Sequence, residues 1–359
     1  MMKRSERKAR AGKMRHMKSR ADSPEDAMVQ RLAAAGLPWR NHAAGLRLGV
    51  GDDAALWAAR PGYEAVLTCD WFLEGTHFLL AKHPPDSVGW KCLARAVSDI
   101  AAMGGEPRCF LLSLALPPSA ARAATGDWLD GFLAGLRRAQ ARLGCVLAGG
   151  DTTRSQRILI SVAVIGEVHK GRALRRSSAR PGDLIYVSGR LGEAELGLRR
   201  LRAAKRISGR DPQLRKHLYP EPRLALGAWL SKTRLATAMM DLSDGLSTDL
   251  ARLCAASGAG ARIEAARLPV VPHPELGFAD ALSLALHGGD DYELLFTVAP
   301  RNRGRVPGSF HGLKLTEIGV VTRDAGLSLM RSGTKIGCDS KRTQEEPLKA
   351  DGWDPFRRG

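Results

Sequence analysis

Seven short stretches of the chain place Asp, usually beside Gly, where an apolar run ends. They are GVGDDAA (49–55), LTCD (67–70), AVSDIAAMG (96–104), LAGGDTT (147–153), DLSDG (241–245), HGGDDYEL (287–294) and DGWDPF (351–356). Asp is depleted in strands and costly to bury without a partner. Enzymes hold magnesium with a few carboxylates plus substrate phosphates, and glycines let backbone N–H groups approach a phosphate closely. The pattern therefore predicts a magnesium-dependent enzyme that acts on a nucleotide phosphate.

Some of these motifs are more specific than others. In LAGGDTT, two glycines and Asp151 follow a buried strand and precede two hydroxyls, which offers amide donors for phosphate and a metal ligand. Asp241 lies at the end of an apolar strand, whereas Asp244 also fits a helix N-cap and Gly51–Asp53 also fits a tight turn. His77 alone fits a satisfied core residue, and Trp353 alone fits a tail anchor. No side chain is an evident nucleophile or general base, and none is predicted.

Alternating strand and helix patterns surround these motifs and predict an α/β fold. The predicted strands are 64–69, 110–116, 145–148, 158–168, 184–187, a strand ending at 241, 261–265 and 292–298. The predicted helices are 24–35, 86–103, 119–143, one after 192, 222–230, 246–256 and 277–286, with an irregular stretch at 207–222. Ser23 and Asp86 are the expected N-caps of the first two helices. On the second helix, Lys91, Arg95 and Asp99 follow one another every four residues and so share one face.

The length of 359 residues predicts two domains. Residues 1–20 contain nine Lys or Arg and no apolar periodicity, so we expect 1–22 to be a disordered basic tail that binds polyanions only weakly. A turn-rich basic segment at 170–183 marks the boundary between an N-terminal domain, 23–168, and a C-terminal domain, 169–359.

The composition favours a cytoplasmic protein. No apolar run is long enough to span a membrane and no secretory signal is evident. The six cysteines have no CxxC spacing, which favours reduced, buried thiols over a disulfide framework or a thiolate metal site. A net charge of +18 is compatible with nucleic-acid binding, but because Arg is scattered along the whole chain it indicates a generally basic protein instead.

Taken in order, the motifs resemble those of the thiamine-monophosphate kinase family, which belongs to the aminoimidazole ribonucleotide synthetase superfamily. The resemblance runs from about Leu48 to Phe356 and rests on GVGDDAALW, TCDWFLEGTHF, KCLARAVSDIAAMGGEPR, LAGGDTTRS, MMDLSDGLSTDLARLCAASGAGARI, ALHGGDDYELLFTV and GWDPF. It implies a two-domain α/β (α+β) fold that dimerises through the N-terminal domains. It also implies direct, magnesium-assisted phosphorylation of thiamine monophosphate by ATP to give thiamine diphosphate.

The resemblance also implies roles for single residues. Magnesium positions fall on Asp53, Thr68, Cys69, Asp70, Asp99, Asp151, Asp241 and Asp244. ATP positions fall on Gly150, Asp151, Arg176 and Ser243, and substrate positions fall on His77, Asp290 and Trp353. The chain departs from the family pattern where Asp290 replaces a Glu, where Cys69 replaces Thr or Ser, and before Leu48.

Two alternatives remain at the level of the sequence. One is another ATP-dependent enzyme of the same superfamily. The other is a basic nucleic-acid-binding protein on a degenerate scaffold, although its dense carboxylates would repel phosphate unless a cation intervened.

Overall fold

The computed structural model describes residues 24–38, 44–118, 128–204, 211–271, 273–274, 276–333 and 342–356. The predicted tail 1–22 and Cys338 lie outside these ranges. The helices are α1 Pro24–Ala35, α2 Pro85–Ala102, α3 Trp128–Leu143, α4 Glu193–Ala203, α5 Pro212–Leu218, α6 Leu224–Thr233, α7 Leu246–Ser257 and α8 Phe278–His287. The strands are β1 Leu46–Leu48, β2 Leu56–Trp57, β3 Tyr63–Leu73, β4 Glu106–Leu116, β5 Val146–Arg154, β6 Leu159–His169, β7 Leu184–Ser188, β8 Ala236–Leu242, β9 Gly260–Glu264, β10 Glu293–Val298, β11 Ser309–Phe310, β12 Leu313–Thr322, β13 Gly326–Gly333 and β14 Arg342–Pro347.

The N-terminal half contains a four-stranded sheet in the order β3-β6-β4-β5. Helices α2 and α3 cover one face, where Phe72, Phe110 and Phe132 are fully buried. Strand periodicity turns alternate residues to the opposite face, on which Leu67 and Trp71 are 71% and 57% exposed. The part of this second face around Leu67 and Trp71 is therefore apolar and left uncovered by the described part of the chain, whereas β1 and β2 pack on another part of it near Cys109 and Ile165.

The C-terminal half contains a larger, mixed sheet in the order β14-β13-β9-β12-β7-β10-β8, with β11 beside β12. One core joins this sheet to α7 and α8, and a second core on its other side includes residues of α6. Both faces of the central strands are therefore covered, which explains why all six residues of β10 are buried.

Helix α2 joins the two halves, because it packs on the N-terminal sheet and also on α6 and β8. The approach to α6 is so close that a Cβ added at Gly227 would lie 2.1 Å from the carbonyl oxygen of Ala101. Ser98 on α2 also donates a hydrogen bond of 2.7 Å to Asp241 at the end of β8. A functional helix of the N-terminal half is thus held directly against the C-terminal sheet.

Several local predictions are wrong or incomplete. Asp86 does not cap α2: the cap is Pro84 with no side-chain hydrogen bond, and Asp86 instead accepts hydrogen bonds from Arg138 and Tyr219. The stretch predicted to be irregular contains α5, capped by Asp211. The first part of the helix predicted from 119 lies outside the described residues. Strands β11 to β14 were not predicted, because turn-rich polar sequence hides their alternation.

Candidate functional site

A cavity of about 930 Å³ lies where α2, β3 and the C-terminal half meet. Nine residues predicted for the site line it: Cys69, Asp70, His77, Asp99, Asp241, Ser243, Asp244, Asp290 and Trp353. They come from five separate stretches of sequence, which the fold brings together. The cavity is therefore the candidate functional site.

One face of α2 supplies three of the charged groups around the cavity. Arg95 and Asp99 line it, and the ammonium group of Lys91 reaches the carboxylate of Asp290 at 2.8 Å. This confirms the prediction that residues four apart on this helix share a face. The helix is rigidly buried in both halves, so these side chains have a firm support.

Three carboxylates form the acidic end of the cavity. Asp70 projects from within β3 rather than from its end, toward the same side as α2. Asp99 accepts a hydrogen bond from the Thr68 hydroxyl, and Asp241 accepts one from Ser98. Burial raises the pKa of all three carboxyls, and the charge of Asp99 raises those of Asp70 and Asp241 further. Burial and mutual repulsion therefore disfavour the ionised forms of these carboxyls unless a positive charge joins the cluster.

The loop after β8 places a fourth carboxylate, that of Asp244, beside the cluster. Asp249 accepts backbone hydrogen bonds of 3.0–3.1 Å from Ser243, Asp244 and Gly245, which fixes the loop. Burial raises the pKa of Asp249 to about 7. Asp244 does not cap α7; its carboxylate pairs with Arg252 and borders the cavity. Asp249 thus has a structural part in presenting Asp244 and Ser243.

The acidic end fits a divalent cation by its chemistry. All of its donors are oxygen atoms, as hard cations prefer, and their repulsion would be relieved by positive charge. Among the described residues, no three His, Cys, Asp or Glu side chains already surround one position closely enough to hold an ion. Such an arrangement is expected where one or two carboxylates bind magnesium together with water and the phosphates of a substrate.

A second part of the cavity wall, the aromatic end, carries the rings of His77 and Trp353. The ring of His77 lies 5.5 Å from that of Trp353, and its Nδ1 accepts a hydrogen bond from the Leu73 amide. Burial lowers the pKa of His77 to about 4, so its imidazole is neutral near pH 7. The Trp353 side chain is 40% exposed, while its backbone N–H donates to the carbonyl of Asp244 at 2.8 Å. The tail is therefore fastened by its main chain, and the indole is left to border the cavity.

Asp290 lines the cavity and is held in its ionised form by Lys91. Although burial alone would raise the pKa of its carboxyl, the ammonium group of Lys91 holds it well below its usual range. The second carboxylate oxygen accepts a hydrogen bond of 2.7 Å from Tyr292. Asp290 is thus a fixed negative charge on the cavity wall.

Five of the predicted residues do not line the cavity. They are Asp53, Thr68, Gly150, Asp151 and Arg176. Thr68 still contacts the cluster through its hydrogen bond to Asp99. Burial raises the pKa of the Asp99 carboxyl, and Arg176 lies close enough to oppose that shift. Asp53 is exposed in the loop after β1.

Asp151 lies on the face of the N-terminal sheet away from Asp70. The strand register puts it opposite Ser113, which pairs with Ser161, which pairs with Trp71 on the uncovered face. Gly150 has a structural reason to be glycine, since an added Cβ would lie 1.9 Å from the carbonyl oxygen of Leu112. The GGD stretch is therefore not part of the cavity in the single chain.

The cavity-lining groups that sequence reasoning missed include Arg95, Arg202, His217 and Tyr292. The four-residue spacing from Lys91 through Arg95 to Asp99 was a signal for the first. His217 and Arg202 gave no signal, because α4 and α5 reach the cavity only through tertiary packing.

The comparisons with known proteins agree with this architecture. Residues 51–168 match the family described as AIR synthase related protein, N-terminal domain, and residues 180–332 match the corresponding C-terminal domain. A thiamine-monophosphate kinase of Escherichia coli (strain K12) is 38% identical over 312 residues, covering 82% of this chain and 91% of the relative. The chain belongs to the thiamine-monophosphate kinase family.

Solved structures of this family have the same fold. The thiamine-monophosphate kinase of Stenotrophomonas maltophilia K279a superposes with a TM-score of 0.73 at 35% identity, covering 86% of this chain and 96% of that one. AaThiL complexed with AMPPCP and TMP gives a TM-score of 0.66 at 32% identity, covering 80% and 90%. The predicted two-domain α/β (α+β) fold and the assignment to thiamine-phosphate kinases are thereby confirmed. Among the described helices, none is long and apolar enough to cross a membrane.

Proposed function

We propose that the protein transfers the γ-phosphoryl group of ATP directly to the phosphate of thiamine monophosphate, giving thiamine diphosphate and ADP. The observation that carries this proposal is the single cavity with an acidic end and an aromatic end, in a chain of the thiamine-monophosphate kinase family. The relative complexed with AMPPCP and TMP supports the choice of both substrates.

The acidic end is proposed to bind ATP as its magnesium complex. Asp70, Asp99, Asp241 and Asp244 are the proposed magnesium ligands from the cavity wall, with Thr68 and Cys69 beside them. Bound magnesium would neutralise phosphate charge and hold the reacting oxygens in line. Ser243 and Arg176 are proposed ATP contacts. The backbone N–H groups of the Ser243 loop already donate to Asp249, so the side-chain hydroxyl is the proposed contact of Ser243.

The aromatic end is proposed to bind the thiamine moiety, whose thiazolium ring is cationic. The indole of Trp353 offers a π-face to a cation, the neutral imidazole of His77 adds no repelling charge, and Asp290 adds a fixed negative charge. Asp290 is one methylene shorter than the Glu typical of the family, so we expect any change of function there to be in substrate affinity.

No side chain needs to act as a nucleophile or general base. The acceptor is already a phosphate anion, so catalysis consists of positioning and charge neutralisation. This agrees with a cavity in which His77 and His217 both have lowered pKa values, caused first by burial, and with the five cysteines of the described residues, which are buried except for Cys69.

We also propose a homodimer formed by the uncovered face of the N-terminal sheet. The apolar exposure of Leu67, Trp71 and Leu111 supports it, since patches of this kind mark protein interfaces. Asp53, Gly150 and Asp151 are proposed to complete the ATP and magnesium site, and the position of Asp151 on this face suggests that dimer formation takes part in doing so.

An acceptor comparison tests the proposed function. Purified protein is incubated with ATP and magnesium plus thiamine monophosphate, thiamine or an aminoimidazole precursor, and ADP is measured. Of the three acceptors, we expect only thiamine monophosphate to give ADP, and we expect no ADP to form when magnesium is chelated. Equal turnover of the aminoimidazole precursor would assign the chain to another activity of the superfamily.

A further inference from the structure

Arg95 is a charged residue on the cavity wall, and none of the proposed roles explains its environment. Its guanidinium lines the cavity, and its Cζ lies 5.3 Å from the centre of the Phe72 ring. Its Nε atom is buried and has no hydrogen-bond partner. None of the ion pairs found among the described residues includes it. Buried arginines are normally paired, so an unpaired donor at a cavity indicates a missing ligand.

The guanidinium is charged despite its burial. Burial alone would lower the pKa of Arg95, but the acidic groups of Tyr292, Asp290 and Asp70 raise it above the usual arginine value. These groups attract the cation without occupying its hydrogen-bond donors. The side chain is therefore a preformed anion site with up to five N–H donors in a planar fork.

On α2, Arg95 lies one turn after Lys91 and one turn before Asp99. One turn before it, Lys91 pairs with Asp290 at the proposed substrate end. One turn after it, Asp99 belongs to the acidic end. An acceptor whose ring lies at Trp353 and whose phosphate points to the acidic end would bring that phosphate past Arg95.

We propose that Arg95 binds the phosphate group of the acceptor and holds it toward the γ-phosphate of ATP. This inference rests on the proposed function and adds a residue to it. In the transfer, an oxygen of the acceptor phosphate forms a bond to the γ-phosphorus while the bond from that phosphorus to the β,γ-bridging oxygen breaks. The electron pair of the broken bond stays on ADP. Arg95 neutralises the negative charge of the acceptor, which would otherwise be repelled by ATP.

A rival explanation is that Arg95 only compensates the carboxylates around it. Under that explanation, losing the cation would harm stability and magnesium binding but would not distinguish a phosphorylated acceptor from an unphosphorylated one. The comparison of thiamine monophosphate with thiamine therefore separates the two roles, because the two molecules differ only in the phosphate.

The test is equilibrium binding of both molecules to the full chain by calorimetry, without ATP. The proteins are the wild type, Arg95→Gln, Arg95→Lys and the control Arg331→Gln, which removes an exposed arginine that pairs with Glu346 far from the cavity. We expect Arg95→Gln to weaken the binding of thiamine monophosphate by about 10- to 100-fold and the binding of thiamine by less than about twofold. Arg95→Lys keeps the charge but loses the fork, so we expect an intermediate loss. The control is expected to match the wild type.

Equal weakening of both molecules, or no weakening of either by a folded Arg95→Gln, would overturn the proposal. Circular dichroism establishes folding, and Arg95→Lys serves if the Gln variant does not fold. A wild type that binds neither molecule would contradict the proposed function instead. In that case, 31P line broadening of inorganic phosphate is compared between wild type and Arg95→Gln: a loss in the variant supports an anion site at Arg95, and no difference overturns it.

Discussion

The ammonium group of Lys91 lies 2.8 Å from the carboxylate of Asp290, and this pair links α2 to the loop before β10. Lys91 is 1% exposed, and its pKa is lowered by burial even though Asp290 opposes the shift. The pair thus joins the two halves of the chain and also fixes a charge on the cavity wall.

We predict that Lys91→Met destabilises the protein by up to about 3 kcal/mol, the lower end of the range for a buried pair, because it leaves the partly buried carboxylate of Asp290 without its ammonium partner. The double variant Lys91→Met with Asp290→Asn should recover part of that loss. Urea unfolding of the four proteins of this cycle gives the coupling free energy. Additive effects of the two changes would mean that the pair contributes nothing as a pair.

We predict that Asp70→Asn lowers kcat by about 100- to 1,000-fold at limiting magnesium, since it removes a charge-stabilising group from the acidic end. The same change should raise the free energy of unfolding in EDTA by about 0.5–2 kcal/mol, because burial of the charge and its repulsion with Asp99 together outweigh the attraction of Arg95. Steady-state kinetics and thermal melts measure both, with exposed Asp324→Asn as the control. Normal turnover in Asp70→Asn would remove Asp70 from the metal site.

We predict that Trp353→Ala raises the KM for thiamine monophosphate by up to about 30-fold, which corresponds to about 2 kcal/mol of cation–π energy. The KM for ATP should change little. The main-chain hydrogen bond of Trp353 to Asp244 survives this substitution, so the tail should remain fastened. Equal increases in both KM values together with a lower Tm would show that the indole is only an anchor. If the indole contacts the substrate, Trp353→Phe should give a KM for thiamine monophosphate between those of the wild type and Trp353→Ala.

We predict that acid destabilises the protein through two buried histidines, His83 and His217, whose Nε2 atoms lie 3.1 Å apart. Burial, aided by the charge of Lys91, lowers the pKa of His83 to about 4 and that of His217 well below the usual value; Arg202 adds to this and Asp290 opposes it. The unfolded chain takes up both protons near pH 6.5 and the folded chain does not.

Stability from these histidines is therefore complete above about pH 6.5 and is lost as the pH falls toward about 4, by about 1.4 kcal/mol per pH unit for each. Urea unfolding at a series of pH values measures this slope. His217→Gln should reduce it by about the contribution of one histidine, whereas exposed His169→Gln should leave it unchanged. An unchanged slope in His217→Gln would contradict the assignment.

Local sequence predicted the elements that carry some of the carboxylates, but not the tertiary contacts around them. Asp99 and Asp241 were placed correctly because helix spacing and strand ends are local features. Asp70 was expected at a strand end but lies within β3, because the hydrogen-bonded pairing of β3 with β6 continues to Leu73. The side of the sheet that Asp151 faces depends on the register between β4 and β5, which the sequence of one strand does not contain. Lining by His217 depends on the docking of α5, which is a tertiary contact.

The proposed reaction is the direct transfer, in this cavity, of the γ-phosphoryl group of ATP to the phosphate of thiamine monophosphate. 31P NMR of the full chain with both compounds and magnesium follows every phosphorus atom of the reaction. We expect the γ-phosphate signal of ATP to disappear while the paired doublets of thiamine diphosphate and ADP appear in equal amounts, with no inorganic phosphate. Accumulation of inorganic phosphate with thiamine monophosphate unchanged would contradict it.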